Sequence, residues 1–76
     1  MSLNVNTEIS NLTAMEIATV VKNARLKKPL TQKELSELAG ISLRSLQRIE
    51  NAAVSPRLYT LNRLAEHINL EMYSAP

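Results

Sequence analysis

A single glycine, Gly40, sets the strongest constraint on how this 76-residue chain can fold. It separates two short segments within Leu30 to Asn51, LTQKELSELAGISLRSLQRIEN, each of which reads as an amphipathic helix. Helices commonly end in a residue with left-handed dihedrals, which glycine adopts without a Cβ penalty. Two residues later Ser42 offers a side-chain cap for a new helix. Thr31 and Glu34 have the spacing of a capping box, and Leu30 with Leu35 that of a hydrophobic staple; Ile41 and Leu46 repeat the staple around Ser42. Leu35, Leu38 and Ala39 form one apolar stripe, and Leu46 and Ile49 another. Helices this short are not stable alone, so the stripes must bury against each other and a third element.

The flanks supply that element. Thr13 to about Lys27 reads as a first helix, with Thr13 and Glu16 as a capping box and Leu12 with Ile17 as a staple. Its residues Ile17, Val20, Val21 and Ala24 recur at helical spacing and are expected in the core. Lys27 and Lys28 favour the negative end of its dipole, and Pro29 stops it. The next helices are expected over about Gln32 to Ala39 and Leu43 to Asn51. A fourth begins near Pro56, whose missing N–H costs nothing in a first turn, and runs to about His67 with Leu58, Leu61, Leu64, Ala65 and Ile68 inward. His67 reads as a surface or helix-end residue. Residues 1–11 show strand-like alternation at Leu3, Val5, Thr7 and Ile9 and form an arm. Residues 12–69 form the folded domain, and residues 70–76 a tail in which Leu70 to Tyr73 alternate like a strand.

Composition narrows the function. The chain has no Cys, one His and no Asp. It therefore lacks the residues for a disulfide framework or a cysteine zinc site, and a metal site or catalytic triad is not expected. No nucleophile–base set can be assembled, so an enzyme is not expected. No run approaches the ~18 apolar residues of a membrane span and no signal peptide is visible, making a cytoplasmic protein without a membrane partner the expectation. The net charge is only +2. However, all nine basic residues lie between Lys22 and Arg63 against three Glu, giving that segment +6. A basic centre with acidic flanks suits a nucleic-acid face, though charge alone fits a solvated surface equally well.

Helix, tight turn with glycine, helix is the arrangement of the DNA-binding helix-turn-helix. The run Leu30-Thr31-Gln32-x-Glu34-Leu35, then Leu38-Ala39-Gly40-Ile41-Ser42, then Ser45-Leu46-x-Arg48-Ile49-Glu50-Asn51 resembles the phage-repressor and Cro type, the XRE-like family. Pro56 and Thr60-Leu61-x-x-Leu64-Ala65 continue the likeness, which covers roughly Val20 to Leu70. One departure is Ser36, where the family usually has Ala; a mild packing cost is expected. The resemblance implies an all-α, lambda-repressor-like domain of about four helices, with room for a short C-terminal strand. It also implies an ion pair between Arg25 and Glu50 that ties the first helix to the third.

In such folds the second helix of the motif enters the major groove. On that template Ser42, Leu43, Arg44, Gln47 and Arg48 point outward as base-contacting candidates. Arg matches the O6 and N7 acceptors of guanine, and Leu43 could touch a thymine methyl. The plainer reading of Arg44 and Arg48 is a solvated face with occasional Glu pairs. Gln32 at a helix N-terminus is a phosphate candidate, a role the resemblance also gives it; Lys33, Ser45, Asn51 and Arg57 join it. Such contacts fix register without reading sequence.

The expected function is sequence-specific binding of operator DNA as a homodimer, with no cofactor. The strand-like ending Asn69-Leu70-Glu71-Met72-Tyr73 resembles the HipB-type antitoxins, which repress their own operon and neutralise a toxin. That adds a toxin protein as an expected partner. A stand-alone Cro-like repressor and an adaptor using the fold for protein binding are the alternatives. Leu70 and Met72 are expected to lie at a two-fold dimer interface.

Overall fold

The computed structural model describes residues 12–70, and within them every regular element is a helix. In chain order these are α1 (Ala14–Lys27), α2 (Gln32–Ala39), α3 (Leu43–Glu50) and α4 (Leu58–Ala65). Each of the first three starts on a side-chain cap. Thr13 and Thr31 both close full capping boxes, with Glu16 and Glu34 accepting from the cap amides at 3.0 and 2.8 Å. The Ser42 hydroxyl accepts from the Ser45 amide at 3.0 Å. Leu12, Leu30 and Ile41, the outer members of the three staples, pack against the core.

That core takes Ile17, Val21 and Ala24 from α1, Leu35 and Ala39 from α2, Leu46 and Ile49 from α3, and Leu61 and Leu64 from α4. Ile68 and Leu70 close it from the segment after α4. Leu35, Leu46, Leu61 and Leu64 are fully buried; each such side chain contributes about 1.5–3 kcal/mol. α3 packs on α1 and α2, and α4 on α2. The helices that could not stand alone are thus held by a shared apolar centre, which fixes α3 between two supports.

Three expectations need correction. Leu38 is 52% exposed, while Ser36 is buried at 3%. At 100° per residue the buried Leu35, Ser36 and Ala39 centre the inward face about 110° from Leu38. Ser36 tolerates that position because its hydroxyl donates to the Lys33 carbonyl at 2.8 Å. Second, α4 begins later and ends earlier than its pattern suggests. Pro56 precedes the N-cap, Arg57, which forms no side-chain cap bond, and the chain leaves α4 through a tighter turn, with His67 N–H donating to Leu64 O at 3.0 Å. Third, Leu58 lies at the margin of the inward face and stays exposed. Leu70, which is 8% exposed, packs in the core of its own chain. The arm at residues 1–11 and the tail beyond Leu70, including Met72, lie outside the described residues.

Candidate nucleic-acid interface

The turn before α3 sets where that helix points. Gly40 has φ 70° and ψ 32°, the left-handed conformation expected of it. Its N–H donates to Glu37 O at 3.3 Å, and Ile41 N–H donates to Ser36 O at 3.0 Å, the paired bonds of a Schellman ending. Ser42 follows in extended conformation and caps α3. The other end of α3 is built the same way. Ala52 N–H donates to Ile49 O at 3.1 Å and Ala53 N–H to Arg48 O at 2.9 Å. There, however, the left-handed residue is Ala52, at φ 59°, a strain that no glycine in the sequence announced.

Leu46 and Ile49 face the core, leaving Leu43, Arg44, Gln47, Arg48 and Asn51 exposed. Arg44, Gln47, Arg48 and Asn51 follow the i, i+3, i+4, i+7 spacing of one helix face. Among the described residues, the side chains of Arg44, Gln47 and Arg48 have no hydrogen-bond or ion-pair partner, so three polar groups with donors stand together in solvent. Leu43, 38% exposed, is the apolar member of this surface. Ser42 is less available than its position suggests: its hydroxyl donates to Ser45 Oγ at 2.8 Å while it caps the helix. Ser45 accepts in that bond, and its own hydroxyl hydrogen has no partner among the described residues.

Two further groups flank this face. A groove of about 260 Å³ between α3 and the start of α4 is lined by Ser45, Arg48, Ser55, Arg57 and Thr60 among others. It brings three of the sequence-predicted contact residues together. α4 starts there without a side-chain cap, so its first amides remain as donors for an anion. On the other side, Lys33 is exposed in the first turn of α2. Gln32 beside it is half-buried, and its Nε2 donates to Glu50 Oε1 at 3.1 Å. One of its amide hydrogens is therefore committed to the protein.

Glu50 is a junction of α1, α2 and α3. Arg25 Nε donates to Glu50 Oε2 at 2.8 Å and Arg25 Nη2 to Oε1 at 2.9 Å. The third guanidinium nitrogen, Nη1, donates to Leu30 O at 2.8 Å. The two side chains are 9% and 2% exposed, so this is a buried, bidentate pair in which each guanidinium nitrogen donates one hydrogen bond. Because Gln32 joins the same carboxylate, the N-terminus of α2 is tied directly to the C-terminal end of α3.

The sequence reading missed Arg63. Its Nε donates to Ala39 O, the last carbonyl of α2, at 2.6 Å, and its Nη1 donates to the Tyr59 hydroxyl at 2.9 Å. A signal was present: α2 has no basic residue in its own last turn, leaving its negative end to be met by a cation from elsewhere.

A helix-turn-helix family model matches residues 21–73, which includes the whole of α2, the turn, α3 and α4. The chain belongs to the Cro- and repressor-like helix-turn-helix family. It is a DNA-binding transcription regulator. A phage protein is similar too. The ImmF control region 10 kDa protein of Bacillus phage phi105 is 34% identical over 61 residues, covering 80% of this chain and 68% of that one. No solved structure matches the chain. In this helix-turn-helix protein no described helix is long and apolar enough to cross a membrane.

Proposed function

We propose that the protein is a stand-alone repressor, not an enzyme, that reads operator DNA as a homodimer. The observation that carries this reading is the face of α3, where Arg44, Gln47 and Arg48 are exposed without side-chain partners among the described residues. In this reading Arg44 and Arg48 meet guanine edges and Gln47 meets adenine, with Leu43 against a thymine methyl. Lys33, the free amide hydrogen of Gln32, Ser45, Asn51 and Arg57 meet phosphates on either side and set the register. The control-region protein of phi105 supports a repressor over an adaptor. A two-fold pair supplies two copies of α3 about 34–36 Å apart, one turn of DNA.

Selection from a random pool of duplex DNA tests this. The expected product is a palindromic sequence whose half-sites are one helical turn apart, bound by two chains in sedimentation. Recovery of no preferred sequence, with uniform weak binding throughout the pool, would overturn the reading.

A further inference from the structure

We propose that Arg63 is a positioning residue for DNA reading: from α4 it locks the turn that aims α3 into the groove. The inference rests on the DNA-reading role of α3 proposed above. Two of the terminal carbonyls of α2, Ser36 O and Glu37 O, are taken by the amides of Ile41 and Gly40. Ala39 O is the last carbonyl before the turn, and its partner is Arg63 Nε at 2.6 Å. A bond from an ionised donor is roughly twice as strong as a neutral one. Only Gly40, Ile41 and the cap Ser42 separate this anchored carbonyl from the first residue of α3. Whatever fixes Ala39 O therefore fixes the pivot on which α3 turns.

The guanidinium is itself held in place. Its Nη1 donates to the Tyr59 hydroxyl, and its carbon lies 5.5 Å from the centre of the Tyr59 ring, within reach of a cation–π attraction. Gly40 supplies the seat. A Cβ at that position would collide with Arg63 Nη2. The glycine thus serves two ends, the left-handed φ and the space for the arginine. Arg63 is half-buried and stands in the last turn of α4, away from the contact groups already named on α2's first turn, on α3 and at the start of α4.

The test uses the duplex selected by the wild-type protein and a random duplex of the same length. Arg63→Met reaches as far as Arg Nε and keeps an apolar stem but has no donor. Arg63→Gln places an amide nitrogen at the same bond count from the backbone as Arg Nε, without the charge. Circular dichroism at the assay temperature sets the folded fraction of each. Arg63→Met is expected to lose about tenfold in affinity for the selected duplex, with random-duplex affinity unchanged, and Arg63→Gln to lose only about threefold, since its neutral donor makes a bond about half as strong. Equal losses for Met and Gln on the selected duplex would overturn the proposal. So would losses on both duplexes with a salt slope lower by about one, the mark of a phosphate contact. A wild-type protein with no preferred duplex would instead overturn the DNA-reading role, and this inference with it.

Discussion

The two ends of α3 solve the same problem with different materials. Each is entered or left through a Schellman-type turn around one left-handed residue, Gly40 at φ 70° and Ala52 at φ 59°. Each is secured by an arginine from another helix. At the first turn Arg63 of α4 bonds a backbone carbonyl, and the residue beneath it has no side chain. At the second, Arg25 of α1 grips the Glu50 carboxylate in a buried bidentate pair just before the turn. The first is a partly exposed lock that sets direction. The second is a buried lock whose failure strands a charge. The difference teaches that stability and aim are separable at the two ends of one helix, and substitutions at both ends probe that separation.

The largest effect is expected at the buried lock. Arg25→Ala or Glu50→Ala should each destabilise the fold by about 3–5 kcal/mol, because the remaining charge is left without its partner. The double variant should cost clearly less than the sum. Urea denaturation of the four proteins measures this; additive losses would mean that the two charges act independently.

Next comes Gly40→Ala. The left-handed backbone alone should cost about 1–2 kcal/mol, and the new Cβ also drives Arg63 from its seat. In an Arg63→Ala background only the backbone contribution should remain. A penalty that is the same in both backgrounds would break the proposed link between the glycine and the arginine.

Ala52→Gly should act in the opposite direction. It relieves the left-handed strain but adds freedom to the unfolded chain, for a net gain of about 0.5–1 kcal/mol. A higher denaturation midpoint with unchanged DNA preference is the expected outcome. Loss of stability would show that the Ala52 methyl packs more usefully than its φ suggests.

The smallest effect concerns the capping boxes at the starts of α1 and α2. The Thr13 and Thr31 backbone amides, and then their hydroxyls, hold the Glu16 and Glu34 carboxyls below their ordinary value. A carboxyl depressed in the folded state stabilises fully above its unfolded pKa and loses that contribution as the pH falls through the folded value. Wild-type stability should therefore decline below about pH 4.3, the unperturbed Glu value, and Glu34→Gln should make that decline shallower. An unchanged acid profile would indicate that the α2 box contributes nothing through its charge.

What could be read from the sequence was mostly what is local. Capping boxes and staples lie within five residues of one another, so Thr13, Thr31 and Leu30 announced their partners by spacing. Arg25 and Glu50 are 25 positions apart, and only the family likeness suggested that they meet. Arg63 was missed because its acceptor is a backbone carbonyl, which no residue letter marks. Ala52 was missed because alanine does not advertise a left-handed turn as glycine does. The error at Leu38 has another source: an eight-residue helix offers too few apolar positions to fix its rotation, and a self-satisfied serine took the inward place. In the candidate site, the outward phase of Arg44, Gln47 and Arg48 could be read from the inward Leu46 and Ile49. The second bond of Ser42 and the commitment of Gln32 to Glu50 could not, since both depend on side-chain geometry.

The measurement that bears most directly on α3 as the reader is a salt titration of binding by wild-type, Arg44→Ala and Lys33→Ala proteins, on the selected duplex and on a random one. If Arg44 reads a base and Lys33 a phosphate, Arg44→Ala loses about 1–3 kcal/mol on the selected duplex and little on the random one. Lys33→Ala then weakens both alike and lowers the salt slope by about one. Equal losses on the two duplexes for Arg44→Ala would contradict the assignment of α3 as the sequence-reading helix.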